Sequence, residues 1–186
     1  MGVRALEEAG IKAPFVIDTC ASPGGKALAV ADHFPEGTIL ARDISEEKIR
    51  LIRENAARCK AINLKAEVFD ATAPDGENKG RADLVIADLP CSGIGVIGNK
   101  PDIKNRLKEE DIPSLAALQR TILSSVQSLV KKGGFLVFST CTVTKEENDE
   151  NASWFRETFD FEEIKREQLL PCDGSDGFFI AVFKKN

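Results

Sequence analysis

The fold is decided by the stretch Phe15-Val16-Ile17-Asp18-Thr19-Cys20-Ala21-Ser22-Pro23-Gly24-Gly25-Lys26. The apolar run at its start predicts a short buried strand that ends at Asp18. Gly24 and Gly25 predict a turn into a helix that continues to about Phe34, and the first backbone N–H groups of such a helix can approach a ligand. The alternative interpretation of the two glycines is a plain strand-to-helix turn.

Short apolar runs alternate with helical patterns along the rest of the chain. The predicted strands cover residues 15–17, 38–41, 66–69, 84–87, 135–138 and 178–183. This alternation predicts an α/β fold in which a doubly wound, mostly parallel sheet is covered by helices on both faces. Because 186 residues suffice for one sizeable core, we expect a single domain over residues 1–186.

Three of the intervening helices have recognisable start or stop patterns. Ser45 is expected to cap the second helix. The third helix has Pro113 near its first turn and is predicted to end at the Lys-Lys-Gly-Gly of residues 131–134. Thr144 and Glu147 have the spacing of a capping box and predict the start of another helix. The third helix carries apolar residues at three- and four-residue intervals, namely Leu115, Leu118, Ile122, Val126 and Leu129.

Composition and charge argue against several classes of protein. No apolar run reaches the roughly eighteen residues of a membrane span and no signal peptide is visible, so we expect a cytoplasmic protein with no membrane partner. One histidine, His33, and five cysteines without paired spacing predict no metal site. A net charge of −5 implies that any nucleic-acid binding depends on local basic residues, because phosphate contacts need clustered Lys and Arg.

Acidic residues directly follow several of the predicted strands. Ligands of open α/β sheets bind beyond the carboxyl ends of the strands, where Asp43, Asp70 and Asp88 stand. Asp43 follows Asp18 by 25 residues (43 minus 18), which is near the spacing at which an acid binds ribose hydroxyls in dinucleotide folds. The pattern predicts a nucleotide-type cofactor. A nicotinamide dehydrogenase is disfavoured because the G-x-G-x-x-G fingerprint is missing.

Cys91 and Cys141 follow two strands that we expect to be neighbours in the sheet. Either cysteine alone is most often a small inert core residue. Together at adjacent strand ends they predict a reactive site, since thiolates are nucleophiles that add well to polarised double bonds. His33 lies in a helix away from these ends, so a Cys-His hydrolase is disfavoured. A thiol redox protein remains an alternative, and it would form a reversible disulfide between the two cysteines.

Four successive motifs resemble those of the Nop/Sun family of RNA cytosine-5 methyltransferases. They cover residues 18–26, 88–93, 101–104 and 139–142, and the likeness extends from about residue 5 to the C-terminus. Ser22 departs slightly from the family, in which alanine is commoner before the proline. The resemblance implies a Rossmann-like class I fold that depends on S-adenosylmethionine. It also implies that residues 20–26, Asp43, Asp70 and Asp88 form the cofactor site, the first seven being Cys20, Ala21, Ser22, Pro23, Gly24, Gly25 and Lys26.

The resemblance also implies catalytic roles for three residues. Cys141 is expected to attack C6 of cytosine, which makes C5 able to take the methyl group. Cys91 is expected to assist release of the product. Asp88, as a proton donor or hydrogen-bond partner at the N3 edge of the base, would stabilise the charge that develops during the attack.

The expected substrate is RNA, with 16S ribosomal RNA first and transfer RNA as the alternative. A non-catalytic, cofactor-binding RNA scaffold is a further possibility, disfavoured by the presence of both cysteines. RNA contacts are expected from Lys100, Lys104, Arg106 and Lys108, although a solvated basic run would look the same. We expect a monomeric, isolated catalytic domain without the N-terminal RNA-binding module of the family. The 171–176 connection is shorter than in the family.

Overall fold

A seven-stranded sheet forms the centre of the protein in a computed structural model, which describes residues 1–171 and 175–186. The strands are β1 (Phe15–Asp18), β2 (Thr38–Asp43), β3 (Leu64–Val68), β4 (Ala82–Asp88), β5 (Val130–Thr140), β6 (Phe161–Leu169) and β7 (Phe178–Lys185). The helices are α1 (Gly2–Glu8), α2 (Gly25–His33), α3 (Glu46–Cys59), α4 (Ile103–Arg106), α5 (Asp111–Val126) and α6 (Asp149–Thr158), with 3-10 turns at Ile94–Val96 and Gln127–Leu129.

The strand order is β3-β2-β1-β4-β5-β7-β6. The first five strands in this order are parallel, whereas β7 runs antiparallel between β5 and β6. The chain leaves β1 in one direction for β2 and returns to its other side for β4, which creates a topological switch point at the carboxyl end of β1. The predicted doubly wound, mostly parallel sheet is therefore confirmed.

Apolar clusters lie on both faces of the sheet. On one face α5 and α6 pack against the strands, with Leu123 and Leu136 fully buried. On the other face α1, α2 and α3 pack, with Val16 and Val30 buried. Burial of each such side chain contributes about 1.5–3 kcal/mol. Both clusters hold the ends of β1, β4 and β5 in fixed relative positions.

The predicted cap of α3 is confirmed, whereas the predicted end of the third helix is wrong. Ser45 accepts a hydrogen bond from the Lys48 backbone at 3.4 Å. The third helix, α5, ends at Val126, and residues 131–134 instead belong to β5. Val130 pairs with Ala82 of β4, with a shift of register before the next pair. Residues 131–134 form an irregularity of the ladder between the paired residues Val130 and Phe135, and Gly133 has a φ of 74°, which favours glycine.

The predicted capping box is also wrong. Thr144 does donate to the Glu147 carboxylate, at 2.7 Å, but α6 begins two residues later at Asp149. Glu147 is fully buried and accepts hydrogen bonds from another loop instead. Tertiary contacts thus take the acceptor that a capping box would use.

The charged strand β6 escaped the sequence prediction because it lies at the sheet edge, where half of its residues face solvent. After it, residues 172–174, including Cys172, lie outside the described residues, and the predicted short 171–176 connection falls partly on them. In the described ranges, no helix is both long and apolar enough to cross a membrane.

Candidate active site

The turn after β1 is tied to the end of β2. Gly24 has φ 108°, a left-handed conformation that glycine adopts without a steric penalty, and it precedes the first residue of α2. The Ala21 amide donates to the Arg42 carbonyl at 2.8 Å, and the Ser22 amide donates to the Asp43 carboxylate at 3.0 Å. The peptide bond between Ser22 and Pro23 is cis. The turn and β2 therefore form one side of a cleft.

A cavity of about 280 Å³ opens at the carboxyl ends of β1, β2, β3 and β4. Half of the ten residues predicted to bind a cofactor line it, namely Cys20, Ser22, Asp43, Asp70 and Asp88. The other five do not line it: Ala21, Pro23 and Gly24 lie in the turn after β1, and Gly25 and Lys26 begin α2. The lining also contains Lys48, Phe69 and Leu118, which were not predicted to belong to the cofactor site. The cavity thus combines acidic and apolar walls, as nucleoside sites do.

Asp43 is held in place by three hydrogen bonds. Its Oδ1 accepts from the Ile44 amide at 2.8 Å and from Lys48 Nζ at 2.9 Å, and its Oδ2 accepts from Ser22. The side chain is only 5% exposed. Its position at the edge of the cavity is therefore set before any ligand binds.

Asp18, the last residue of β1, is fully buried, and neither carboxylate oxygen has a hydrogen-bond partner in the described part of the chain. Burial, followed by the neighbouring Asp88, raises the pKa of Asp18 to about 7, although Lys26 acts in the opposite direction. Asp18 was not among the predicted cofactor residues. Buried carboxylate oxygens without a partner require a donor or a proton.

Asp88 is fixed by one residue from each neighbouring element. Lys26 Nζ lies 2.5 Å from its Oδ2, and Ser139 Oγ donates to its Oδ1 at 2.6 Å. Ser139 is the residue that pairs with Asp88 in the ladder between β4 and β5. Asp70, in contrast, lies exposed at the rim of the cavity and accepts from the Thr72 amide and hydroxyl.

The two predicted reactive cysteines are brought together. Cys91 Sγ lies 3.2 Å from Cys141 Sγ, and both side chains are half-buried. The hydrogen bond from Cys91 lowers the pKa of Cys141 to about 7, with Lys100 acting in the same direction and burial and Asp88 opposing it. The same hydrogen bond and burial raise the pKa of Cys91. The directions of the two shifts favour Cys141 as the thiolate of the pair and Cys91 as the donor.

Close backbone contacts hold the loop that follows Cys91. The Gly95 amide donates to the Cys141 carbonyl at 3.1 Å, and the Gly177 amide donates to the Gly95 carbonyl at 2.7 Å. A Cβ atom on residue 95 would lie 2.8 Å from the Cys141 carbonyl oxygen. Only glycine fits at this crossing, which fixes the backbone beside Cys141.

A second cavity of about 400 Å³ lies between α4 and α5, next to Cys91. Leu118 lines both cavities, so the two are adjacent. Arg106 lines the second cavity and forms an ion pair with Asp102. Lys108 Nζ lies 3.6 Å from Glu110 Oε1.

The other two residues predicted to contact RNA, Lys100 and Lys104, are exposed, and Lys100 is close enough to influence Cys141. Elsewhere in the described residues, no group of three His, Cys, Asp or Glu side chains could hold a metal ion.

Comparison with known proteins shows the family of the chain. Residues 8–184 match the family described as 16S rRNA methyltransferase RsmB/F. The chain belongs to this family. The resemblance predicted from the four motifs is thereby confirmed.

Curated relatives in the RsmB/F family include two bacterial proteins. The probable ribosomal RNA small subunit methyltransferase B of Bacillus subtilis is 38% identical over an alignment of 191 positions that covers 91% of this chain and 43% of that protein. The ribosomal RNA small subunit methyltransferase B of Escherichia coli is also 38% identical, over 91% of this chain and 42% of that protein. The chain thus spans less than half the length of the curated relatives it matches.

Solved structures agree with the family and the fold. NSun6 from Pyrococcus horikoshii, solved with SFG, has a TM-score of 0.86 and 28% identity over 99% of this chain and 50% of that chain. A methyltransferase homolog from the same organism has a TM-score of 0.82 and 27% identity over 94% of this chain and 62% of that chain. The expected Rossmann-like class I methyltransferase fold is confirmed.

Proposed function

We propose that this RsmB/F chain carries the catalytic site of an RNA cytosine-5 methyltransferase that acts on 16S ribosomal RNA and uses S-adenosylmethionine. The observation that carries the proposal is the 3.2 Å contact between Cys141 and Cys91, of which Cys91 lines the second cavity. A site for methyl transfer to a nitrogen or oxygen atom needs neither thiol. Addition of a thiolate to a base needs one, and its reversal is helped by a second acid-base group.

The first cavity fits S-adenosylmethionine. Asp43 offers a prepositioned carboxylate suited to ribose hydroxyls, and the Gly24 turn leaves backbone close to the cavity. Asp18, which precedes the cavity-lining Thr19, has two buried oxygens without a partner in the described part of the chain. SFG, bound by NSun6, is an analogue of S-adenosylmethionine. When bound, the cofactor would supply an electrophilic methyl group.

Cys141 would start the reaction on the RNA base. With a pKa of about 7, roughly half of this thiol is ionised at neutral pH, compared with a few per cent of an ordinary cysteine. The thiolate adds to C6 of cytosine, and the electron pair of the C5–C6 double bond makes C5 nucleophilic. The base must be presented out of any stack to reach this sulfur.

Asp88 would act at the N3 edge of the cytosine. Negative charge develops on the ring during addition, and a hydrogen bond or proton at N3 stabilises it. Lys26 and Ser139 fix both carboxylate oxygens, so the side chain does not need to reorganise when the base binds. Electrostatic stabilisation of a transition state is largest when the stabilising group is already in position before the reaction begins.

Cys91 would act after methyl transfer. A base removes the C5 proton, its electron pair restores the C5–C6 double bond, and the C6–S bond breaks to release Cys141 as a thiolate. A group 3.2 Å from that sulfur can donate a hydrogen bond to the departing thiolate. Cys91 is this group.

Methyl transfer to defined RNA tests the proposal. The full chain is incubated with tritiated S-adenosylmethionine and unmodified 16S ribosomal RNA, with transfer RNA in parallel, and the labelled nucleotide is mapped. We expect label in 5-methylcytosine of the ribosomal RNA. Label in transfer RNA alone would identify the alternative substrate, and cofactor binding without label in either RNA would favour a non-catalytic scaffold.

Lys100→Ala should weaken RNA binding, because loss of a contact with a phosphate weakens binding to RNA of any sequence.

A further inference from the structure

Glu147 is a buried carboxylate that the reaction described above does not use. It is 0% exposed, and in the described ranges no ion pair joins it to a Lys or Arg. Four donors surround it instead: the Ser92 amide at 2.8 Å, the Ser92 hydroxyl at 2.6 Å, the Thr144 hydroxyl at 2.7 Å and Gln119 Nε2 at 3.3 Å. A buried charge without a cation is costly unless such donors compensate it.

Two of the four donors to Glu147 come from the loop that carries Cys91. Ser92 is the next residue after Cys91 and gives Glu147 both its amide and its hydroxyl. On the other side of Cys91, the Pro90 carbonyl accepts from Gln119 Nε2 at 3.0 Å, and the same nitrogen lies near Glu147. Cys91 is therefore held from both flanks by one buried polar cluster.

The same cluster reaches the neighbour of the second cysteine. The Ser92 and Thr142 hydroxyls lie 2.7 Å apart, and Thr142 follows Cys141 directly. The cluster thus contacts the residues beside both thiols without touching either sulfur. Hydrogen-bonded contacts of this kind set distances to a fraction of an ångström, and a misplacement of about 1 Å can cost 100-fold in rate.

We propose that Glu147 is a positioning residue that holds Cys91 against Cys141 for the release of the methylated product. This inference rests on the proposed role of Cys91. Loss of the Glu147 acceptor frees the Ser92 amide and lets Cys91 move. Cys141 stays in place because it directly follows Thr140, the last paired residue of β5, and because its carbonyl accepts from the Gly95 amide. Addition of Cys141 to the base and transfer of the methyl group therefore continue, whereas elimination of Cys141 from the methylated base slows.

Two substitutions of Glu147 distinguish the loss of its hydrogen-bond acceptor from a mere change of side chain. In Glu147→Gln the amide oxygen still accepts from the Ser92 amide, and the amide nitrogen donates to the Ser92 and Thr144 hydroxyls, which can rotate to accept. In Glu147→Leu no acceptor remains. We expect Glu147→Leu to accumulate a denaturation-resistant protein–RNA adduct at least about threefold above wild type, and Glu147→Gln to stay within about threefold of wild-type turnover.

Ser92→Ala provides a milder variant in case Glu147→Leu does not fold. It removes the hydroxyl that links Glu147 to Thr142 and keeps the backbone donor, so we expect intermediate adduct accumulation. Ser124→Ala is the matched control, because Ser124 lies on the exposed side of α5 and its hydroxyl donates to the Arg120 carbonyl. Urea unfolding of each variant reports whether it is folded.

The experiment compares adduct and methylated RNA for all variants with Cys91→Ser as reference. Adduct in Cys91→Ser, Glu147→Leu and Ser92→Ala, with rescue in Glu147→Gln, is the expected result. Adduct in Cys91→Ser without adduct in folded Glu147→Leu or Ser92→Ala would overturn the role of Glu147 alone. Absence of adduct in Cys91→Ser would overturn the role of Cys91, and this inference with it.

Discussion

Cys91 Sγ lies 3.2 Å from Cys141 Sγ, although 50 residues separate the two cysteines along the chain. The contact exists because β4 and β5 are adjacent parallel strands whose carboxyl ends meet at one edge of the sheet. It makes the two thiols chemically unequal, since the hydrogen bond lowers the pKa of Cys141 and raises that of Cys91. The division of roles between them therefore has a physical basis beside the family resemblance.

Cys141→Ser tests the nucleophile. A hydroxyl is hardly ionised at neutral pH, so methyl transfer should fall by at least about 1000-fold. The Cys141 side chain does not line the cofactor cavity, so S-adenosylmethionine affinity, measured by titration calorimetry, should stay within about threefold. Appreciable turnover in this variant would remove Cys141 from the proposed role.

The pH dependence of thiol alkylation tests the hydrogen bond between the cysteines. Cys141 should react with iodoacetamide along a curve with its midpoint near pH 7, because only the thiolate reacts. Cys91→Ala removes the donor and should move the midpoint upward, whereas Cys91→Ser keeps a hydroxyl donor and should move it less. Peptide mass spectrometry follows Cys141 and uses exposed Cys59 as an internal control. Equal midpoints in both variants would contradict the hydrogen-bond explanation.

Asp18 should make the stability of the cofactor-free protein depend on pH. Burial raises the pKa of Asp18 from 3.8 in the unfolded chain to about 7 in the folded protein, so the folded state binds the proton more tightly. The stability that this protonated form provides is complete below pH 4 and is lost as the pH rises through 7. The loss amounts to roughly 4 kcal/mol.

Asp18→Asn should abolish that dependence. Urea unfolding at pH 5 and pH 8 measures it, and the free energy of unfolding of the wild type should fall relative to the variant as the pH rises. A constant difference between the two proteins at both pH values would show that Asp18 titrates in the folded protein as it does in the unfolded chain.

Gly95→Ala tests the backbone crossing beside Cys141. The added Cβ would lie 2.8 Å from the Cys141 carbonyl oxygen and would also clash with Gly177, so the loop must shift. We expect a loss of about 1–3 kcal/mol in unfolding free energy together with reduced methyl transfer. Gly98→Ala is the matched control, because nothing lies within 4 Å of a Cβ there. Similar losses in both variants would contradict the role of the crossing.

Much of the site could be predicted from the sequence because strand ends in a parallel sheet converge. The apolar runs located β1, β4 and β5, and the residues that follow them meet at one edge. Asp43 and Asp88 line one cavity, Cys91 lines the adjoining one, and Cys141 contacts Cys91. Such runs are strong patterns, since strands buried on both faces are continuously apolar.

The remaining features depend on contacts between distant segments. Glu147 has the local spacing of a capping residue, and only the packing of the Ser92 loop against it gives the carboxylate another use. Asp18 was visible as the end of a strand, but its lack of partners follows from the burial of that position. The charged pattern of β6 resembles a solvated segment because an edge strand buries few side chains.

A covalent trap tests the central claim most directly. The full chain is incubated with S-adenosylmethionine and 16S ribosomal RNA in which 5-fluorocytosine replaces cytosine. After methyl transfer, C5 then carries fluorine in place of the proton that a base would remove, so elimination is blocked and the adduct persists. After nuclease and trypsin digestion, mass spectrometry locates the nucleotide. We predict that the peptide containing Cys141 carries a nucleotide derived from 5-fluorocytosine. The corresponding peptide of Cys141→Ser should carry none. A nucleotide on Cys91, or no adduct from a protein that methylates the unsubstituted RNA, would contradict the account.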